Sequence, residues 1–243
     1  MLSYKDQLLD LNPKYQAWLS KDIEPMVEFP TPWMEDKEYL LNLNGLRCDE
    51  FTDIAKQDHI LFAGCEYTLP INEDLNDAWS YNLYKYYLGT TGTFRSLSYP
   101  GADPQKIVSN IIKYVDKHGA PSKLFVLMPE IIRQYGYWPE GKVYKPKMYR
   151  QLKSEDGIEH NAMAIPNDVP LTLLAINYIR YIHVLESYCR AKDIQLLWTT
   201  WDKETSDLLC SIEFSSFFST DKDLHSQKDI YTHFINKIRS KNE

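Results

Sequence analysis

Short apolar runs alternate with stretches of helical periodicity from about residue 59 onward. The run His59–Gly64 (HILFAG) has the character of a buried parallel strand that ends in a glycine. Similar runs predict strands at 93–98, 123–128 and 194–200. Apolar residues spaced three or four positions apart predict helices over about 75–87, 104–118, 171–189, 203–209 and 228–238. Asp103 followed by Pro104 is a strong helix start, because it places a capping side chain before proline at the first helical position.

Strands that alternate with helices at this spacing imply βαβ units. We therefore predict an α/β fold, a three-layer α/β/α sandwich with a mostly parallel central sheet, for residues 58–243. Residues 1–57 are broken by four prolines and are predicted to form an N-terminal arm or cap. Residues 129–168 are rich in aromatic residues without a sustained period, which predicts a surface insertion.

Composition and charge narrow the class of protein. The 243 residues carry 27 Lys and Arg against 34 Asp and Glu, a net charge of -7. The negative charge, without a basic cluster, disfavours nucleic acid as a partner. Aromatic residues make up 14% of the chain, which suits either an aromatic core or a surface that contacts carbohydrate or protein.

Targeting and metal signals are absent from the sequence. No apolar run approaches the roughly 18–20 residues of a membrane-spanning helix, and the N-terminus lacks the basic start and apolar core of a signal peptide. The 4 cysteines form no Cys-x-x-Cys pair, so neither a zinc site nor a disulfide framework is indicated. We expect a soluble protein made in a reducing cytoplasm, with no membrane partner, no metal and no cofactor.

Candidate chemistry lies in the loops that follow the predicted strands, because ligands bind outside the carboxyl ends of an open parallel sheet. These loops are Gly64–Thr68, Tyr99–Asp103 and Met128–Glu130, to which we add Thr220–His225 before the last helix. From them, Tyr67, Thr68, Asp103 and Glu130 are candidate binding residues.

The same segments resemble the SGNH (GDSL-type) hydrolases, most closely members encoded by bacteriophages. The likeness runs from about residue 42 to the end. It rests on the order and spacing of NGLRCDEF, LFAGCEYT, Trp79, the Pro-Gly turn, WTTW and the closing Asp/His segment. The resemblance implies an SGNH-hydrolase-like, flavodoxin-like sandwich. It also implies synthesis in the cytoplasm of a host, with association with a virion left open.

The resemblance assigns candidate catalytic roles residue by residue. Glu66 occupies the position of the nucleophilic serine, and Gly101 matches a glycine whose N–H helps to bind the oxyanion. His225 matches the base, with Asp221 or Asp223 as its orienting carboxylate. The family's oxyanion asparagine falls within Met128–Ile131, where no asparagine occurs.

Glu66 opposes serine-type chemistry, because a carboxylate puts negative charge where the oxyanion must form. Thr68 is a conceivable substitute hydroxyl. Glu66 could otherwise act as a general base with His225 as the acid, or form a structural ion pair with His225. A metal site from Glu66, Asp103, Asp223 and His225 has no spacing signature.

Two functions follow from the sequence. The first is an SGNH-hydrolase-like phage protein with a degenerate site that acts by binding, either to other virion chains or to surface glycans. The second is an active ester hydrolase, for example a carbohydrate O-deacetylase, that uses His225 with an atypical nucleophile or an activated water. The sequence leaves the oligomeric state open.

Overall fold

A computed structural model describes most of the predicted α/β domain. The described residues are 42, 46–51, 59–68, 74–89, 93–98, 102–131, 133 and 171–240, together with the backbone of 149–153 and 159–163. Most of the predicted arm, residues 1–57, and most of the 129–168 insertion lie outside this set, so both boundaries stay predictions.

Six strands and five α-helices alternate along the described chain. The strands are β1 (Ile60–Gly64), β2 (Arg95–Ser98), β3 (Lys123–Met128), β4 (Tyr149–Lys153), β5 (Glu159–Met163) and β6 (Gln195–Thr200). The helices are α1 (Trp79–Leu88), α2 (Pro104–His118), α3 (Leu171–Ala191), α4 (Lys203–Leu209) and α5 (Gln227–Ser240), and a short 3-10 helix at Leu75–Asp77 precedes α1.

Four of the strands form one parallel sheet in the order β2-β1-β3-β6. This is the order in which doubly wound sheets begin, with the direction of winding reversed between β1 and β3. The predicted three-layer α/β/α sandwich with a parallel central sheet is therefore confirmed.

The two faces of the sheet are covered by different helices. On one face, α2 and α3 contribute buried residues such as Ile111, Tyr178 and Ile182 to a core that includes Trp198 of β6. These helices bury one side because their apolar residues recur every three or four positions and so form a stripe along the helix. The connections thus place α2 and α3 on the same side of the sheet.

The other face is largely aromatic. Phe62 of β1 packs edge-on against Trp79 of α1, with ring centroids 5.7 Å apart, and Trp79 stacks on Phe234 of α5 at 4.6 Å. Phe62 and Phe125 also stack at 5.5 Å. Part of the aromatic excess is therefore core, because flat rings from strands and helices can fill this layer without voids.

Part of the predicted arm also reaches the core. Leu46 and Phe51 are buried in the layer that contains α2 and α3. Asp49 accepts a hydrogen bond from Phe94 N at 2.7 Å, and its own N–H donates to Phe94 O at 3.1 Å. Residues 46–51 are thus packed onto the edge of the sheet next to β2.

The helix start at Asp103 forms as predicted. Asp103 Oδ1 accepts from Lys106 N at 2.7 Å, and Pro104 occupies the first turn of α2. Gly119 ends the helix at a φ of 94°, a conformation in which glycine avoids the clash of a Cβ. Local residue chemistry therefore sets both ends of this helix.

The 129–168 insertion contains a hairpin that the sequence pattern did not predict. β4 pairs antiparallel with β5, from Tyr149 opposite Met163 to Lys153 opposite Glu159. The two segments, YRQLK and EHNAM, are mostly polar and lack a clear alternation, so they carry no strand signal.

Among the described helices, none is both long enough and apolar enough to cross a membrane.

Candidate functional site

The carboxyl ends of β1 and β3 lie side by side where the strand order reverses. In open parallel sheets this switch point is where ligands bind. Residues 65–68 follow β1 there, and residues 129–131 and 133 follow β3. The topology therefore brings together two of the loops that the sequence nominated.

Arg133 joins these two segments by ion pairs to one carboxylate from each. Its Nη1 donates to Glu66 Oε2 at 2.5 Å, and its Nε donates to Glu130 Oε1 at 2.9 Å. The side chain of Arg133 is 9% exposed, against 24% for Glu66 and 14% for Glu130. The planar guanidinium suits this double role because its donors are fixed in a fork.

Burial perturbs the charges of this network. Desolvation raises the pKa of Glu130 above its ordinary value, because the opposing charge of Arg133 only partly offsets the loss of water. Desolvation lowers the pKa of Arg133, but the negative groups around it outweigh this and raise its pKa overall. Glu130 Oε2 is buried without a hydrogen-bond partner. The network therefore keeps Arg133 charged and leaves one buried acceptor unmet.

Tyr67 links this network to the last strand and the last helix. Its carbonyl oxygen accepts from Trp79 Nε1 at 3.1 Å and from Gln227 Nε2 at 3.0 Å. Its ring stacks on Trp201, which follows β6, with centroids 4.6 Å apart. Partial burial raises the pKa of the Tyr67 hydroxyl, and the charge of Glu66 adds to the effect, so Tyr67 is a neutral aromatic contact.

The turn after β1 is too tight to present Thr68 as a nucleophile. Thr68 N donates to Cys65 O at 2.9 Å, and the residue is 1% exposed. A Cβ at Gly64 would lie 2.1 Å from Thr68 Oγ1 and 2.7 Å from Leu127 O, so glycine is required there. The Thr68 hydroxyl is packed against the end of β1 and does not face a substrate.

His225 lies in a different environment. Its Nε2 is 3.6 Å from Asp223 Oδ2, and the two side chains are 67% and 45% exposed. Asp223 Oδ1 also accepts from Lys203 N at 2.8 Å, at the start of α4. The nearest aromatic contact of His225 is Trp201, with centroids 6.4 Å apart. Asp223 is thus the carboxylate that faces His225, while Asp221 is exposed.

The structure brings only some of the predicted site residues together. Glu66 and Glu130 share Arg133, and Tyr67 connects them to Trp201. The structural ion pair between Glu66 and His225 does not form, because among the described residues Glu66 pairs with Arg133 and His225 with Asp223.

The remaining predicted residues have structural roles or fall outside the description. Asp103 is buried and caps α2. Gly101 lies outside the described residues, so its oxyanion role stays a prediction. No group of three or more His, Cys, Asp or Glu side chains in the described part of the chain could hold a metal ion, and the four-residue metal alternative has no geometric support there.

Arg133 and Trp201 are the two site residues that sequence reasoning missed. Arg133 lies three positions after Glu130, just beyond the nominated loop Met128–Glu130, and Trp201 belongs to the WTTW segment. A signal was therefore present, because a charged residue and an aromatic residue both followed strand ends. Which carboxylates Arg133 would pair with could not be read from spacing, since Glu66 is 67 residues away along the chain.

A scan against models of protein families gave no match for this chain, and a search of curated proteins gave no significant match. The likeness to SGNH hydrolases therefore remains an interpretation of the sequence.

Proposed function

We propose that this chain is an SGNH-hydrolase-like protein of phage origin whose hydrolase site is degenerate and which acts by binding. Its partners would be surface glycans or other protein chains of a virion. The observation that carries the proposal is the ion pair that Glu66 makes with Arg133. Where the resemblance expects a serine, the chain has a carboxylate that is held by the buried guanidinium of Arg133.

Ester hydrolysis by a serine mechanism needs a hydroxyl, a base within hydrogen-bond reach and donors for the oxyanion. Glu66 offers no hydroxyl, and its carboxylate, paired with Arg133, would place negative charge where the resemblance expects the oxyanion. Thr68, the alternative hydroxyl, is buried against β1. His225 lies 3.6 Å from Asp223 and makes no ion pair with Glu66 among the described residues. These contacts favour recognition over catalysis.

Hydrolysis of p-nitrophenyl acetate tests this proposal. We expect the wild-type rate to equal that of His225→Ala, at the level of the uncatalysed background. Glu66→Ser serves as the reconstruction, because it restores the hydroxyl that the resemblance expects. Activity that appears in Glu66→Ser and is lost in the double variant with His225→Ala would support a degenerate hydrolase site.

The second candidate is an active ester hydrolase, and one observation favours it. His225 is exposed and faces the carboxylate of Asp223, and the resemblance gives these two residues the roles of base and orienter. A water activated by His225 would then replace the serine. Wild-type turnover that disappears in His225→Ala would establish this alternative and overturn the binding proposal.

A further inference from the structure

The long helix α3 has apolar side chains on its exposed side as well as on its buried side. Among the described residues, five large apolar side chains are exposed, and three of them belong to this helix: Leu173 at 48%, Ile176 at 43% and Val184 at 39%. The opposite side of α3 carries Tyr178 and Ile182, which are fully buried in the core. A surface helix ordinarily places its polar residues on the side away from the core, so α3 departs from that pattern.

Helix α5 shows the ordinary pattern. Its buried side includes Ile230 and Phe234. All of its exposed residues are polar: Lys228, Thr232, Asn236, Arg239 and Ser240. Single exposed apolar residues are common on protein surfaces, whereas a contiguous apolar patch marks an interaction site. The exposed side of α3 is therefore a candidate interaction surface, and that of α5 is not.

The exposed residues of α3 are spaced for contact with another helix. Five of them follow one another at steps of three and four positions: Leu173, Ile176, Arg180, Val184 and Ser187. This is the spacing of the seam residues in a coiled coil, where each side chain fits between side chains of the facing helix. We refer to these five residues as the α3 stripe.

The charge on this side of α3 selects among partners. Arg180 lies within the stripe and Arg190 lies beside it, and both are exposed. In the described part of the chain, neither guanidinium makes an ion pair. The only acidic residue of α3, Glu186, is buried and accepts from Trp198 Nε1 and Ser215 N. The exposed side of the helix is thus apolar and basic in a chain whose net charge is -7.

Two other partners fit this surface less well. A twofold pairing of α3 with the same helix of a second copy would place each stripe against itself, so the Arg180 side chains would repel each other. Attachment to an anionic membrane takes a cluster of basic residues, and Arg180 is the single basic residue of the stripe. An acidic helix meets neither objection, because its carboxylates can pair with Arg180 and Arg190 while its apolar residues pack on the stripe.

We propose that the α3 stripe binds an acidic amphipathic helix of a partner protein. Apolar side chains of that helix pack between Leu173, Ile176 and Val184, and acidic residues beside them pair with Arg180 and Arg190. A contact between two single helices is small, so the complex is transient, with a dissociation constant on the order of micromolar. The surface includes neither Glu66 nor His225, so the proposal goes beyond the proposed function and has its own test.

Two synthetic helices of one design test the charge of the partner against the full chain. Both have leucine at the a and d positions of their heptads, and they differ in having glutamate or lysine at e and g. Like charges at e and g keep either peptide from pairing with itself. By fluorescence anisotropy, we expect the glutamate peptide to bind at least about tenfold more tightly than the lysine peptide, and the difference to shrink at high salt. No binding of the glutamate peptide, or equal binding of both, would overturn the proposal.

Arg180→Glu tests the assignment to the stripe by reversing one charge. The dissociation constant of the glutamate peptide should rise about tenfold or more and that of the lysine peptide should fall, because attraction and repulsion are exchanged. Arg239→Glu makes the same change of charge at an exposed position of α5 and should leave both affinities unchanged. An equal loss of affinity in the two variants would mean that net charge alone governs binding, which would contradict the assignment.

Ile176→Gln tests the apolar part of the stripe. Loss of this side chain from the contact should raise the dissociation constant of the glutamate peptide about threefold to tenfold. Tyr86→Gln is the control, because Tyr86 is similarly exposed but lies on α1, on the other face of the sheet. Circular dichroism and thermal unfolding confirm that each variant is folded. Wild-type affinity in folded Ile176→Gln would contradict the assignment.

The alternative partners have their own measurements. Sedimentation equilibrium of the full chain should show no dimer that Arg180→Glu dissociates, and vesicles of phosphatidylcholine and phosphatidylserine should not bind the chain through Arg180. Either a dimer or vesicle binding that is lost in Arg180→Glu would assign the stripe to a second copy or to lipid and overturn the proposal. The ester assay uses other residues, so failure of peptide binding would leave the proposed function standing.

Discussion

The two halves of the candidate site differ in how deeply their charged side chains are buried. Around Arg133, three ionisable side chains are mostly buried and are joined by short ion pairs. Around His225, a histidine and a carboxylate lie largely in solvent, 3.6 Å apart. The aromatic pair of Tyr67 and Trp201 connects the two regions.

The comparison indicates what each half can contribute. A buried network is held rigidly because breaking it leaves a charge without a partner in a poorly solvated place. An exposed pair is free to move and is weakly coupled to the fold. A serine triad needs its nucleophile and its base in one environment, whereas here the residue in the nucleophile position is fixed in the first and the base lies in the second.

The largest effect is expected from Arg133→Ala, which removes the shared partner of Glu66 and Glu130. The free energy of unfolding should fall by about 3–5 kcal/mol, because a buried carboxylate is left unpaired. Urea denaturation monitored by circular dichroism measures it. Arg190→Ala, at an exposed position of α3, is the control and should change stability by less than about 0.5 kcal/mol. A similar, small change for both variants would show that the network is not buried in solution.

A smaller effect, with a defined pH dependence, is expected from Glu130→Gln. Because the pKa of Glu130 in the folded chain lies above its ordinary 4.5, its contribution to stability is full below about pH 4.5 and is lost as the pH rises through the folded value. Glutamine does not ionise, so the stability of the Glu130→Gln variant does not fall with pH for this reason. The free energy of unfolding of Glu130→Gln minus that of the wild type should therefore increase from pH 4 to pH 8, so the variant gains relative stability.

Chemical denaturation at several pH values measures this difference. Glu213→Gln is the matched control, because Glu213 is exposed and its replacement should give a difference that is flat with pH. A flat or falling difference for Glu130→Gln would mean that Arg133 stabilises the carboxylate more than burial opposes it.

The smallest effect is expected from His225→Ala, since its side chain is 67% exposed and its pair with Asp223 is long. The free energy of unfolding should change by less than about 0.5 kcal/mol. Asp223→Ala should cost more, about 0.5–1.5 kcal/mol, because Asp223 also accepts a hydrogen bond from Lys203 N. Thermal unfolding compares the two variants, and a larger loss for His225→Ala would show that the histidine is part of the fold.

Local patterns predicted the framework well. The strand 123–128 and the helix that begins at Pro104 form with the expected bounds, because continuous apolar runs and capping residues act over a few positions. The hairpin at 149–153 and 159–163 was missed, since strand pairing in a polar segment depends on its partner and not on its own composition.

The candidate site was predictable only in part. The ends of β1 and β3 nominated Glu66 and Glu130, and the structure brings the two residues together on Arg133, because parallel topology places such ends at one edge. The aromatic excess left both a core and a contact surface open, and Trp79, Phe62 and Phe234 are core. Of the four tyrosines in α1, only Tyr86 is exposed.

The sequence by itself determined the α/β class, the alternation of strands and helices, and the presence of a carboxylate after β1, because these depend on periodicity and on residue identity. The tertiary structure decided that Glu66 pairs with Arg133 and that His225 stays in solvent beside Asp223. Ion pairs between distant residues depend on strand order and on burial. Both are properties of the packed sheet and leave no signal in the spacing of residues along the chain.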